Sequence, residues 1–154
     1  MQRTDYGQMA CSIARTLDVI GEPWSPLILR DVFVGITRFD QLQAELGVSR
    51  KVLTERLKWL VDHDVLQREL YSDRPARYEY VLTAKGHELC DLLLVMTAWG
   101  DRWTAGTDGP PVLYRHRQCG EVSHVELLCS TCKQPMHAAD IDVEPGPGAL
   151  SSSA

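Results

Sequence analysis

RFDQLQAELGVSRKVLTERLKWLVDHDVLQRELYSDRPARYEYVLT, residues 38–83, is the stretch that decides how this chain folds. From Arg38 to Leu46 the apolar positions Phe39, Leu42 and Leu46 recur at spacings of three and four, as one face of a helix requires. Gly47 suits the end of that helix, because glycine takes the left-handed conformation of a C-terminal cap without strain. Ser49 suits the start of the next, its hydroxyl accepting a bond from a free backbone N–H of the first turn. From Ser49 to Asp62, Leu53, Leu57, Leu60 and Val61 line one side, while Lys51, Thr54, Glu55 and Lys58 point away from it.

Two helices joined by so short a turn, the second amphipathic and basic, form a helix–turn–helix. Its apolar face anchors the second helix, and its first turn and polar face are free to enter a major groove. Beyond it, Val65, Leu66 and Leu70 approach a turn at Ser72-Asp73-Arg74-Pro75, and Tyr78, Tyr80 and Leu82 alternate with other residues on the way back. This hairpin makes the motif a winged helix, with Arg74 and Arg77 at or near the tip of the wing. Arginine there suits phosphate contact or insertion into a minor groove of strongly negative potential. Thr83 is placed to cap a long helix that follows.

Several segments, taken in order, resemble one known family. They are Cys11-Ser12-Ile13-Ala14, Gly21-Glu22-Pro23-Trp24, Leu27-Ile28-Leu29-Arg30, Gly35 and Arg38-Phe39. Leu53-Thr54-Glu55-Arg56-Leu57, Arg74-Pro75-Ala76-Arg77-Tyr78-Glu79-Tyr80 and Leu82-Thr83 with Gly86 continue the series. Together they resemble the HxlR-type transcriptional regulators of bacteria, within the MarR-like winged helices, over roughly residues 10–103. Glu22-Pro23 stands where that family often has a Gly-Lys-like pair, and Asp64 where a glycine usually precedes the first wing strand. The resemblance implies a mainly helical fold with a small β wing, binding to double-stranded operator DNA, and dimerisation through the first and the long helices.

Composition sets outer limits. A chain of 154 residues is the size of one domain with an appendage, and no apolar run approaches the roughly 18 residues a membrane span needs. The N-terminus lacks the basic-then-apolar shape of a signal peptide, so a cytoplasmic protein with no membrane partner is expected. The formal charge of −5 runs against nucleic-acid binding, but it is unevenly spread. Residues 48–77 hold seven Lys/Arg against five Asp/Glu, whereas residues 104–154 hold three against six. So small a local excess implies affinity that depends on two copies and falls steeply with salt. No Gly-rich phosphate loop, nucleophile elbow or HExxH occurs, and the carboxylates are scattered, so an enzyme is not expected.

Two helices are expected before the helix–turn–helix. Met9 to Ile20 sets Ala10, Ile13, Leu17 and Ile20 on one stripe, and Trp24 to Val34 is densely apolar, with Pro26 tolerated in its first turn. Trp24 reads as a core anchor. After the wing, Thr83 to Trp103 carries Leu89, Leu92, Leu93, Met96, Trp99 and Trp103 at helical spacing, more apolar surface than one small domain covers. A stripe of that length implies a partner, most economically a second copy.

The tail is chemically distinct. After the break Ala105–Pro111, short strands are expected at Val112–His116 and Val122–Leu128, giving a small β-ribbon over residues 112–143. Around them stand His116-x2-Cys119-Gly120 and Cys129-x2-Cys132. Paired x2 spacings provide the two knuckles of a ribbon whose four nitrogen and sulfur ligands hold zinc. A metal-free ribbon with reduced, partly buried thiols or a local disulfide fits the same residues, and His124 and His137 are spare ligands. Cys11 has two readings as well. Some members of the family sense oxidants through a cysteine near this position, and a thiol near a helix start favours the reactive thiolate. A buried small apolar residue at a dimer interface is the other. Cys90 reads as core. Residues 144–154, rich in Pro, Gly and Ser, are expected to be disordered.

The whole reads as a mainly α protein with a small β component. A winged helix–turn–helix over residues 8–104 carries a long dimerisation helix, and the Cys/His ribbon follows. The expected function is sequence-specific DNA binding by a homodimeric repressor whose affinity responds to a small-molecule effector or to thiol oxidation. Ser49, Arg50, Lys51 and Thr54 would face the groove, Lys58 and Arg38 would reach phosphates, and Arg74 with Arg77 would form the wing contact. A zinc-ribbon-bearing winged helix for protein docking is the alternative, separated from the first by whether the basic face contacts phosphate.

Overall fold

Burial of leucine and isoleucine from three successive helices builds the core, and the sequence order of those helices sets what it presents outward. The computed structural model describes Tyr6 and residues 8–152. In chain order it contains α1 (Ser12–Ile20), α2 (Trp24–Phe33), α3 (Phe39–Leu46), α4 (Arg50–Asp62), strands β1 (Leu66–Asp73) and β2 (Ala76–Leu82), and α5 (Ala84–Thr104). Three short 3-10 turns follow. Two units pack separately, the first ending at Asp91 and the second beginning at Leu92, so the division falls inside α5.

In the first unit, Ile28 and Leu29 of α2, Leu42 of α3 and Leu53, Leu57 and Leu60 of α4 are fully buried, joined by Val65 and Leu66 at the base of the wing. Each such side chain contributes roughly 1.5–3 kcal/mol on burial. Gly47 ends α3 at φ 62°, in the left-handed region, and the Ser49 hydroxyl accepts a 3.3 Å bond from the Val52 N–H to cap α4. Val61, expected on the core side of α4, is half-buried. The Trp59 indole N–H donates to the Val19 carbonyl oxygen at 3.1 Å, tying α4 to α1.

α1 begins at Ser12 rather than Met9. The Met9 N–H donates to the Tyr6 carbonyl and the Cys11 N–H to the Met9 carbonyl, so the chain before Ser12 is a turn. The core-facing residues of α1 are Ala14 and Ile20, while Ile13 and Leu17 lie 72% and 49% exposed. The stripe read from the sequence thus mixes core-facing with outward-facing positions.

β1 and β2 pair antiparallel, Leu66 with Leu82 at the base and Asp73 with Ala76 at the tip. A bulge between Leu70 and Ser72 inserts Tyr71 as an extra residue on β1. A third, minimal strand adds to β2: Arg38 bridges Glu79, the Tyr80 N–H donates to the Thr37 carbonyl at 2.8 Å, and the Thr37 hydroxyl donates to the Glu79 carboxylate at 2.7 Å. Arg38 is consequently extended, at φ −95° and ψ 144°, and α3 starts one residue after it.

The joint between wing and long helix is dense. Asp64 takes φ 56°, the left-handed conformation that explains a glycine preference at this position. The Thr83 hydroxyl donates to the carbonyls of Asp64 at 2.6 Å and Val65 at 3.2 Å, and accepts from the Gly86 N–H at 3.1 Å, which caps α5. The Lys85 ammonium donates to the His63 carbonyl at 2.7 Å. Gly86 is buried, and a Cβ there would collide with the Val65 carbonyl oxygen and touch Leu82 at 3.0 Å.

In the second unit the expected single ribbon is replaced by two separate tight hairpins. One is closed by a bridge between Arg115 and Val122, the other by a bridge between Leu128 and Pro135. Leu128 therefore pairs forward across the Cys129–Cys132 turn, and each hairpin is long enough for a single bridge. Within residues 144–152, where order was not expected, a 3-10 helix spans Pro147–Ser152; residues 153 and 154 lie outside the described residues.

Because the obstacle at Gly86 is backbone, Gly86→Ala should lower stability by about 1–3 kcal/mol, read as a lower urea midpoint at unchanged slope. A midpoint equal to wild type would mean that β1 and α5 part without loss.

Candidate nucleic-acid interface

The exposed side of α4 is the part of the first unit with the clearest electrostatic character. Arg50, Lys51, Thr54 and Lys58 are all exposed, and at 100° per residue they fall within an arc of roughly 100°. The adjoining side of the same helix carries Leu53, Leu57 and Leu60, which are buried and anchor the helix that presents the basic face. Ser49 is exposed at the N-terminus of α4, where its hydroxyl already serves as the cap.

Each basic group has local company. The Arg50 guanidinium lies 3.7 Å from the Asp40 carboxylate and 4.7 Å above the centre of the Phe39 ring. The Lys58 ammonium pairs with Asp62 one turn later. The Thr54 hydroxyl donates back to the Arg50 carbonyl at 2.8 Å. Arg38 stacks over Tyr71, 4.3 Å from the ring centre, which places it against the wing rather than within α3. Exposed pairs of this kind contribute about 0–1 kcal/mol and are screened by salt, so they hold the cations in position without locking them.

Arg74 and Arg77 are exposed at the wing tip, Arg74 in the turn and Arg77 among the first residues of β2. Two further arginines lie outside the expected set of DNA-contacting residues. Arg68 lies over the Tyr78 ring at 4.2 Å on the exposed part of the wing, and Arg56 sits 3.9 Å from Glu22. The Arg68 position was legible as a strand residue, but its stacking depends on a diagonal cross-strand neighbour that spacing alone does not name. The 18% exposure of the Arg56 side chain removes it from the outer face.

The cysteines divide by environment. Cys11 is exposed at the N-terminus of α1, with no side-chain capping bond. Cys90 is buried on α5, and burial, followed by the neighbouring Asp91 charge, pushes its thiol above the usual range. In the second unit the His116 Nδ1 lies 3.3 Å from the Cys119 Sγ. The Cys129 thiol is held below its usual range, first by a backbone hydrogen bond from Cys132 and then by one from Thr131. Among the described residues, no group of three or more His, Cys, Asp and Glu side chains is placed to hold a metal ion. None of the described helices is long and apolar enough to cross a membrane.

Known proteins share this arrangement. The sequence profile of the HxlR-like helix-turn-helix family matches residues 19–108. An uncharacterized HTH-type transcriptional regulator of Mycobacterium tuberculosis, Rv3095, is 41% identical over 137 residues, 89% of this chain and 87% of that protein. The crystal structure of PA1607, described as a candidate transcription factor, superposes with a TM-score of 0.82 at 35% identity, covering 93% of this chain and all of that one. The redox regulator HypR in its oxidized form superposes with a TM-score of 0.56 at 31% identity, covering 60% of this chain and 96% of that one. The capped basic helix, the wing and these likenesses agree: the chain belongs to the HxlR-like helix-turn-helix family and is a DNA-binding transcriptional regulator with a MarR-like winged helix.

Proposed function

We propose that this regulator is a sequence-specific repressor that binds its operator as a homodimer and loses affinity when Cys11 is oxidised. The observation that carries the DNA reading is the exposed arc of Arg50, Lys51, Thr54 and Lys58 on a helix anchored by the buried Leu53, Leu57 and Leu60. Ser49, Arg50, Lys51 and Thr54 face base edges in the major groove, Lys58 and Arg38 hold phosphates, and Arg74 and Arg77 carry the wing contact. Phosphate contacts fix position and base contacts fix sequence.

Support for two copies comes from apolar surface left uncovered in one. On α5, Leu92, Met96, Trp99 and Trp103 recur every three or four residues and are 40%, 52%, 64% and 69% exposed. On α1, Ile13 and Leu17 are exposed as well. Solvated tryptophans at regular helical spacing are a partner surface, and a second copy is the partner that a two-fold operator requires. For the thiol, support lies in the exposure of Cys11 against the burial of Cys90, and in the likeness to a protein named as a redox regulator. An accessible thiol oxidises before a buried one.

Fluorescence anisotropy with the chain's own upstream DNA, across a salt series and against a scrambled competitor, tests the reading. Tight, salt-sensitive binding that the competitor fails to displace is expected; equal displacement by scrambled DNA at every salt would remove specific recognition. In the same assay Lys58→Ala should weaken all sequences alike, whereas Arg50→Ala should also relax preference at one base pair by roughly 1–3 kcal/mol. An unaltered preference would take Arg50 off the base-reading face. Light scattering should give twice the chain mass for wild type and one chain mass for Trp99→Glu with Met96→Glu, and a monomeric wild type would end the dimer proposal. Mild peroxide should lower operator affinity of the wild type and leave Cys11→Ser unchanged; a Ser variant that responds like wild type would clear Cys11 of sensing.

A further inference from the structure

The two hairpins of the second unit are copies of one design, set 13 residues apart. In the first, the Gly120 N–H donates to the His116 carbonyl, the His116 N–H to the Glu121 carbonyl and the Ser123 N–H to the Tyr114 carbonyl, at 2.8, 2.9 and 2.9 Å. In the second, the Lys133 N–H donates to the Cys129 carbonyl, the Cys129 N–H to the Gln134 carbonyl and the Met136 N–H to the Leu127 carbonyl, all at 2.9 Å. The single bridges occupy equivalent places, Arg115 with Val122 and Leu128 with Pro135. The residue after each x2 pair is left-handed: Gly120 at φ 76° and Lys133 at φ 62°. A lysine in that conformation is uncommon, so the turn is imposed rather than chosen by the residue.

In the first turn the His116 nitrogen and Cys119 sulfur are 3.3 Å apart. The equivalent backbone bonds of the second turn put Cys129 and Cys132 at the same two positions of the design.

What the segment lacks is a core. From residue 110 to 149 every residue is exposed except Tyr114 and Cys129, which are half-buried, and Leu113, Leu127 and Leu128 are at least 50% exposed. No hydrogen bond or ion pair among the described residues joins one hairpin to the other. Segments below about 40 residues rarely hold a fold without a metal, a disulfide or a partner, and all five cysteines are free thiols.

We propose that residues 112–136 form a zinc knuckle pair in which His116, Cys119, Cys129 and Cys132 close around one structural Zn2+. The four groups make a neutral imidazole and three thiolates, a nitrogen–sulfur set of the kind structural zinc takes in tetrahedral array. Binding releases three thiol protons to solvent, leaves the oxidation states unchanged, and couples the ion to folding of the segment. The first hairpin holds its ligand pair together, the second repeats its backbone design, and the ion supplies the tie between the hairpins that the polypeptide does not. This inference stands apart from the DNA-binding reading, since it uses none of the same residues.

The test is metal analysis of the full chain purified under reducing conditions without chelator, followed by cobalt replacement of whatever is bound. About one zinc per chain is expected, with the visible and thiolate charge-transfer bands of a tetrahedral, sulfur-rich cobalt site. Cys119→Ser and Cys129→Ser should lose the metal and the bands, while Cys11→Ser and Cys90→Ser keep both. His116→Cys should still bind one ion, with a stronger thiolate band, which separates loss of a ligand from failure to fold. A chain that arrives with only traces of zinc and takes up no cobalt would overturn the proposal. So would metal that survives the Cys129→Ser/Cys132→Ser double variant, or a native disulfide among Cys119, Cys129 and Cys132.

Discussion

A buried glycine sets the distance between the wing and the long helix. Gly86 stands where a side chain would strike the Val65 carbonyl oxygen, and Thr83 binds the Asp64 and Val65 carbonyls from the same turn. Four elements meet there: the end of α4, the base of β1, the end of β2 and the start of α5. The backbone carbonyls that α4 and the wing leave over are taken up by one hydroxyl and one ammonium, so little is left unsatisfied at a crowded junction. The Leu82-Thr83-x-x-Gly86 pattern is thus a joint, with Thr83 both cap and clamp. Given this joint, the basic face of α4 and the tip of the wing belong to one rigid frame.

The electrostatics of that frame are restrained. Asp40 and Asp62 neutralise part of the basic face in the unbound protein, and the aromatic rings of Phe39, Tyr71 and Tyr78 carry the guanidinium groups of Arg50, Arg38 and Arg68. Cation–π contacts at exposed sites contribute about 0.5–1 kcal/mol, enough to restrict rotamers and too little to withhold the charge from a phosphate. Pre-positioned arginines lose less side-chain freedom on binding than free ones.

Much of this was legible in the sequence, for identifiable reasons. The helix–turn–helix combines a 3.6-residue period with Gly47 and Ser49, two residues whose local chemistry fixes helix ends. The basic residues of α4 followed from the same period. The start of α1 was not legible, because a turn involving Met9 and Cys11 takes backbone groups that periodicity assigns to a helix. Nor could the pattern separate the core face of α1 from Ile13 and Leu17, since hydrophobicity records what is apolar and not what covers it. The pairing of Thr37 and Arg38 with β2 is two residues long and has no period to detect. In the tail the x2 spacings were visible, but the apolar run Val122–Leu128 looked like one strand, whereas Val122 and Leu128 belong to different hairpins.

The bulge at Tyr71 reaches further than its single residue suggests. Side chains along a strand alternate between faces, and paired residues of two antiparallel strands share a face. Leu70 is matched with Tyr78, but Ser72 is matched with Arg77, so the extra residue switches the parity of β1 relative to β2 for the rest of the wing. Ser72 consequently keeps company with Arg77, on the face opposite to Leu70 and Tyr78. The length of this wing is therefore also a phase. A gain or loss of one residue near this point would reassign which arginines of the wing look outward, so the same side chains would present the opposite face to a ligand.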